Sequence, residues 1–166
     1  LTATSSIVAD EDITVSISTS GTGTEGTDYS TISDITISAG ATTGTASFTP
    51  SDDSVYEGNE TGIVAIATVS GGSATEDGTQ SVTITITENE SSPTITLTSS
   101  ASSITENAGS SLTLTATSSI VADEDITVTI TTSGTGTEGT DYSTISDITI
   151  SAGDTTGTAS FTPSDD

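Results

Sequence analysis

The sequence predicts an all-β chain of antiparallel, seven-stranded β-sandwiches repeated in tandem. Two observations carry that prediction. Residues 1–53 return as residues 114–166, an offset of 113, with three differences: Ser16 against Thr129, Ser18 against Thr131 and Ala41 against Asp154. A period that long suits one whole globular domain rather than a solenoid turn. Within a period, β-branched residues alternate with Thr and Ser, Gly- and Asp-rich turns separate the alternating segments at short spacing, and no stretch carries a helical period of 3.6.

The segments follow in order. Ile13, Val15 and Ile17 alternate with Thr14, Ser16 and Ser18. Residues 63–69 alternate likewise, and Val82, Ile84 and Ile86 alternate with Thr83, Thr85 and Thr87. Residues 95–97, 112–116 and 148–150 repeat the pattern. Alternation of this kind marks strands with one buried face. The repeat differences at 16 and 18 fall on the polar phase of their strand, where a Ser-to-Thr change costs little. Tyr29 and Tyr142 read as core or corner residues, and the outward Thr row at 83, 85 and 87 needs no reason beyond strand propensity.

Pro93 punctuates the chain: ENESSP at 88–93 reads as a linker and PTITLTSS opens a new first strand. The division is therefore 1–91, a sandwich lacking its first strand, and 92–166, the start of the next, lacking its last two strands. Such open sandwiches expose unpaired backbone, so further copies are expected beside them.

Composition narrows function. The chain has 24 acidic residues, no Lys, Arg or His, and a formal net charge of −24. Nucleic-acid affinity rests mostly on Lys and Arg against phosphates, so nucleic acid is not an expected partner. No apolar run approaches the ~18 residues of a membrane span. Without His, Cys or Lys, the usual general base, thiol nucleophile and Schiff-base amine are missing, so the chain is not expected to be an enzyme. Zero cysteine also removes disulfides and thiolate metal sites.

The remaining chemistry is carboxylate. The stretch PSDDSVYEGNET, residues 50–61, crowds Asp52, Asp53, Glu57 and Glu60 together with no basic residue anywhere in the chain. Calcium takes six to eight oxygen ligands at ~2.3–2.6 Å, so a cluster of carboxylates that nothing else neutralises is what it needs. Asp in a turn is also ordinary, since its side chain bonds the local backbone. Glu124 and Asp125 read as loop charge, and Glu138 stands open between the two readings.

Four motifs in order resemble the Calx-beta family: GTGTEGTDY at 21–29 and 134–142, SDD at 51–53 and 164–166, VYEGNET at 55–61, and SITENAGS at 103–110. The resemblance spans essentially the whole chain. It implies an immunoglobulin-like sandwich that binds calcium at one end. It also implies a ligand set of Glu106, Asp28 and Asp141, Asp52, Asp53, Asp165 and Asp166, Glu57 and Glu60, and Glu88 and Glu90. Two positions depart from the family pattern: Glu88 and Glu90 stand where a terminal cluster is usually Asp-rich, and Ser54 where a third Asp is common. Near-identical repeats of this kind resemble the stalk of a large secreted bacterial surface adhesin or extracellular filament. Calcium would rigidify domain ends and linkers there, and neighbouring copies of the repeat would be its partners. The alternatives are a module that grips surface glycans or a host ligand, a calcium sensor that switches a partner, and a fibre in which one chain's first strand completes another's sandwich.

Overall fold

A computed structural model describes residues 1–165; Asp166, one of the expected ligands, lies outside the described residues. Every regular element is a strand, and no helix is long and apolar enough to cross a membrane. In chain order the strands are β1 (Thr2–Thr4), β2 (Ile13–Gly21), β3 (Ile35–Ile37), β4 (Thr43–Thr45), β5 (Val55–Tyr56), β6 (Glu60–Ser70), β7 (Ser81–Ile86), β8 (Ile95–Ser99), β9 (Leu112–Ser118), β10 (Val121–Ala122), β11 (Ile126–Val128), β12 (Ile148–Ile150) and β13 (Thr156–Phe161). They fall into two compact units, one holding β1–β4, β6 and β7, the other β5 and β8–β13.

In the first unit β3-β2-β6-β7 form one antiparallel sheet and β1-β4 a second. The alternation in β2 buries Ile13 and Val15, which meet Ile35 and Ile37 of β3 in a core that Leu1 and Ala3 join from β1. A second cluster gathers Tyr29, Ile32 and Val64, with Phe48 stacked on Tyr29. In β6 the simple alternation expected over 63–69 breaks. Ser16 pairs Thr68 while Ile17 pairs Ile66, which leaves Ala67 as the extra residue of a bulge. The bulge shifts the phase by one, so Ile66 and Val69 both pack against the core.

In the second unit β8-β9-β13 make a three-stranded sheet, β11 pairs β12, and β5 pairs β10 in parallel. Its core is Ala116, Ile148 and Ile150. The two copies of the repeat keep one register: Thr2, Ala3 and Thr4 face Thr45, Gly44 and Thr43, and their counterparts Thr115, Ala116 and Thr117 face Thr158, Gly157 and Thr156.

Two expected burial faces differ from the structure. Val82 of β7 is 52 % exposed, and in β8 Ile95 and Leu97 are 37 % and 53 % exposed, although both strands form where the alternation puts them. Alternation reports which face of a strand is apolar. Whether a second layer covers that face is a non-local matter.

Candidate metal centre

The candidate site starts from a locally determined turn. In GTGTEGTDY the Asp28 side chain accepts a hydrogen bond from the Thr24 amide at 2.5 Å, while the Asp28 amide donates to the Thr24 carbonyl at 2.9 Å. Glu25 braces the same turn from outside: its two oxygens accept from Thr19 Oγ1 at 2.8 Å and from the Ile32 amide at 2.6 Å. Tyr29 drives its ring into the core at 1 % exposure and stacks on Phe48, with centroids 4.5 Å apart.

The second copy folds the turn the same way. Thr137 donates to Asp141 at 2.6 Å, Glu138 accepts from Thr132 and Ile145, and Tyr142 stacks on Phe161 at 4.7 Å. The turn is thus a property of its own residues. Glu138, open between loop and ligand on sequence, is here a backbone brace.

Backbone ties bring the acidic run to this turn. Ser30 donates to the Thr49 carbonyl at 2.8 Å and Ser51 to the Asp28 carbonyl at 2.9 Å, so Asp52 and Asp53 leave the sheet directly beside Asp28 and are exposed. In the second copy Ser164 bonds the Asp141 carbonyl at 2.9 Å, which sets exposed Asp165 in the matching place.

Glu60 opens β6 and pairs with Ile86 of β7. The next residue, Thr61, locks onto the start of the Asp28 turn. Its amide donates to Thr22 Oγ1 at 2.9 Å and its carbonyl accepts from the Gly23 amide at 3.1 Å. Glu60 Oε2 lies 3.3 Å from the point that a Cβ on residue 23 would occupy, so glycine there leaves space for the carboxylate. Glu88 follows β7 and returns to the same segment: its Oε2 accepts from the Gly58 amide at 2.7 Å and its amide donates to Asn59 Oδ1 at 2.9 Å.

The result is one compact carboxylate group. Asp28, Glu57 and Glu60, all half-buried, each offer one oxygen, and these oxygens lie within 4.8 Å of one another. Two ligands on one calcium at ~2.3–2.6 Å can be no more than about 5 Å apart, so the spacing fits. The donors are hard oxygens without nitrogen or sulfur, a set suited to calcium or magnesium rather than to zinc or copper. No basic side chain exists in the chain to neutralise them.

The other expected ligands are placed differently. Glu88 is half-buried and bonded to Gly58, Glu90 is half-buried beyond β7, and Glu106 sits in an exposed turn in the second unit. Asp141 and Asp165 reproduce the turn and its tie without a counterpart of Glu57 and Glu60 among the described residues.

Several acids that sequence reasoning passed over hold backbone instead. Asp34 accepts from the Ile17 amide at 3.1 Å and from Ser16 Oγ at 2.9 Å; Asp147 does the same for Ile130 and Thr129. Asp12 accepts from the Ala39 amide, and Asp125, which reads as loop charge, from the Ala152 amide, both at 2.8 Å. Their only signal in the sequence is recurrence at the same place in both copies.

Comparison with known proteins identifies the domain. The model of the Calx-beta domain matches residues 3–90 and again residues 88–159, whereas the search of curated proteins returned no match. Calx-beta domains are calcium-binding β-sandwich modules, and here two copies adjoin. With both matches lying on all-β units that share a register, the chain belongs to the Calx-beta domain family.

Proposed function

We propose that the chain is a structural, calcium-binding repeat in the stalk of a large secreted cell-surface adhesin or extracellular filament, and that calcium stiffens the domain ends and linkers. The carrying observation is the meeting of Asp28, Glu57 and Glu60 within 4.8 Å in a chain with no cationic side chain. On this reading the three carboxylates hold the ion, Asp52 and Asp53 would add to its shell, and Glu88, bonded to the Gly58 amide, holds the 57–60 segment in position. The bound ion would supply the positive charge that the sequence lacks. Extracellular calcium modules work at ~10⁻⁴ to 10⁻³ M, so calcium outside a cell would keep such sites filled.

Near-identity of the two copies supports a structural role, because recognition domains usually differ at their loops. The aromatic residues speak against a glycan platform: Tyr29 and Tyr142 are buried, and Tyr56, Phe48 and Phe161 are half-buried. An exposed ring for stacking on sugar is therefore not among them.

The test is thermal unfolding of the chain in calcium, in magnesium, and in chelator with sodium chloride at matched ionic strength. A rise in midpoint specific to calcium is expected, equivalent to about 2.7 kcal/mol at a hundredfold excess over Kd. Small-angle scattering on the same samples should show a narrower distribution of dimensions in calcium. Equal stabilisation by every salt would mean that the acids form only a screened surface, and the proposal would fall.

A further inference from the structure

The segment after the acidic run does not stay with the repeat to which its sequence assigns it. Ser54–Glu57 falls within the first Calx-beta match, residues 3–90, yet it packs in the second unit. There β5 runs parallel to β10, with Val55 beside Val121 and Tyr56 beside Ala122. The Asp123 amide donates to the Tyr56 carbonyl at 3.3 Å, and Ser92 Oγ donates to the Tyr56 hydroxyl at 3.2 Å. One step further the parallel register would set Glu57 beside Asp123, two like charges in a chain without cations. That repulsion gives a reason why β5 ends after 2 residues.

The edge under β5 is one that a repeat builds and leaves open by itself. SSIVADED stands at 5–12 and again at 118–125, and both copies fold it alike. Ser5 Oγ donates to the Ile7 carbonyl at 2.8 Å and Ser118 Oγ to the Ile120 carbonyl at 2.6 Å. The Gly40 amide donates to the Ala9 carbonyl and the Gly153 amide to the Ala122 carbonyl, both at 2.9 Å. The first unit contains β6 and β7, and Ile7 and Val8 still remain 72 % and 59 % exposed there. A repeat's own later strands therefore do not cover this edge. Under β5 the same residues become strand β10, with Val121 half-buried and Ala122 buried.

From these observations we propose that residues 54–57 are a clasp, which each repeat lays on the SSIVADED edge of the repeat that follows it. The edge is preformed, so the clasp adds a short strand to existing backbone and main-chain hydrogen bonds carry the contact. The two surfaces also suit one another in charge. Val55 and Tyr56 on one side and Ser119–Ala122 on the other are uncharged, between acids, so two acidic repeats can meet there without repulsion. In a tandem array such a contact is the nearest-neighbour term that makes successive repeats fold and open together. Clasp and edge belong to one chain, which separates this contact from strand exchange between chains. The inference stands whether or not the carboxylates hold calcium.

Amide hydrogen exchange in the full chain, followed by NMR, tests the clasp with a built-in control, because the two SSIVADED copies share their intrinsic rates. The Asp123 amide should exchange at least about tenfold more slowly than that of Asp10, its counterpart. Val55→Pro should bring Asp123 to the rate of Asp10 and leave the Val15 amide in β2 unchanged. Cysteine pairs give a second reading, since the chain has no cysteine of its own. Neighbouring strands lie about 4.7–4.9 Å apart, within the range that a disulfide bridges. Val55→Cys with Val121→Cys should therefore close an internal disulfide at least about tenfold faster than Val55→Cys with Val8→Cys. Should Val55→Pro unfold the chain, the cysteine pairs decide by themselves. Equal exchange at Asp10 and Asp123, protection of Asp123 that survives Val55→Pro, or equal closure of the two cysteine pairs would each overturn the proposal.

Discussion

Tyr29→Ala is expected to destabilise the first unit by about 3–5 kcal/mol, the usual cost of emptying a large aromatic site in a core. The ring is 1 % exposed, stacks on Phe48 at an interplanar angle of 23°, and belongs to the cluster with Ile32 and Val64. Its backbone bridges Pro50, so the same residue sets the approach of the acidic run to the Asp28 turn. Urea unfolding followed by far-ultraviolet circular dichroism measures the loss. Tyr29→Phe should cost far less, because ring stacking and volume are kept. A loss below about 1 kcal/mol for Tyr29→Ala would show that the corner does not rest on this ring.

Gly44→Val should be comparably damaging for a different reason. A Cβ built on Gly44 overlaps the backbone carbonyl oxygen of Thr36 and crowds the Ile35 side chain. The obstacle is main chain in a buried strand, so it cannot rotate aside, and β4 must lift from β3. Overpacking typically costs about 1–3 kcal/mol and occasionally more; a clash against backbone belongs at the upper end. Gly157 meets Thr149 and Ile148 in the same way, so Gly157→Val should destabilise the second unit similarly. Unequal effects on the two copies would contradict a shared local cause.

What was legible in the sequence follows from range. The strands β2, β7, β9 and β12 were visible because alternation is local, and the Asp28 turn was visible because its hydrogen bonds span four residues. Strand length was not visible. Residues 13–21 and 126–134 differ only at 16 and 18, yet β2 runs 9 residues and β11 only 3. The difference lies in β6, which pairs β2 from Thr14 to Gly21. A partner strand tens of residues away decides how far identical residues stay extended. The bulge at Ala67 was hidden for the same reason.

The site was legible in part. Glu57 and Glu60 stood out as acids without cations, Asp28 was implied by the resemblance to the Calx-beta turn, and the fold brings these three together. The sequence does not distinguish them from Glu25, Asp34 and Asp12, whose carboxylates accept amides 7, 17 and 27 residues on or back. An acid that serves the backbone looks like one that awaits an ion until the turn is folded. Glu88 is the intermediate case, an expected ligand that steadies the segment carrying two of the others.

The central claim is that Asp28, Glu57 and Glu60 hold calcium, and calorimetric titration of calcium into the chain tests it most directly. Alongside it runs the variant carrying Glu57→Gln and Glu60→Gln, which keeps size and hydrogen-bonding capacity while removing two charges. The account predicts saturable calcium binding near ~10⁻⁴ to 10⁻³ M in the native chain, weakened at least about tenfold in the variant, with the fold unchanged in chelator. Saturable binding of equal strength in both, or none in the native chain, would contradict it.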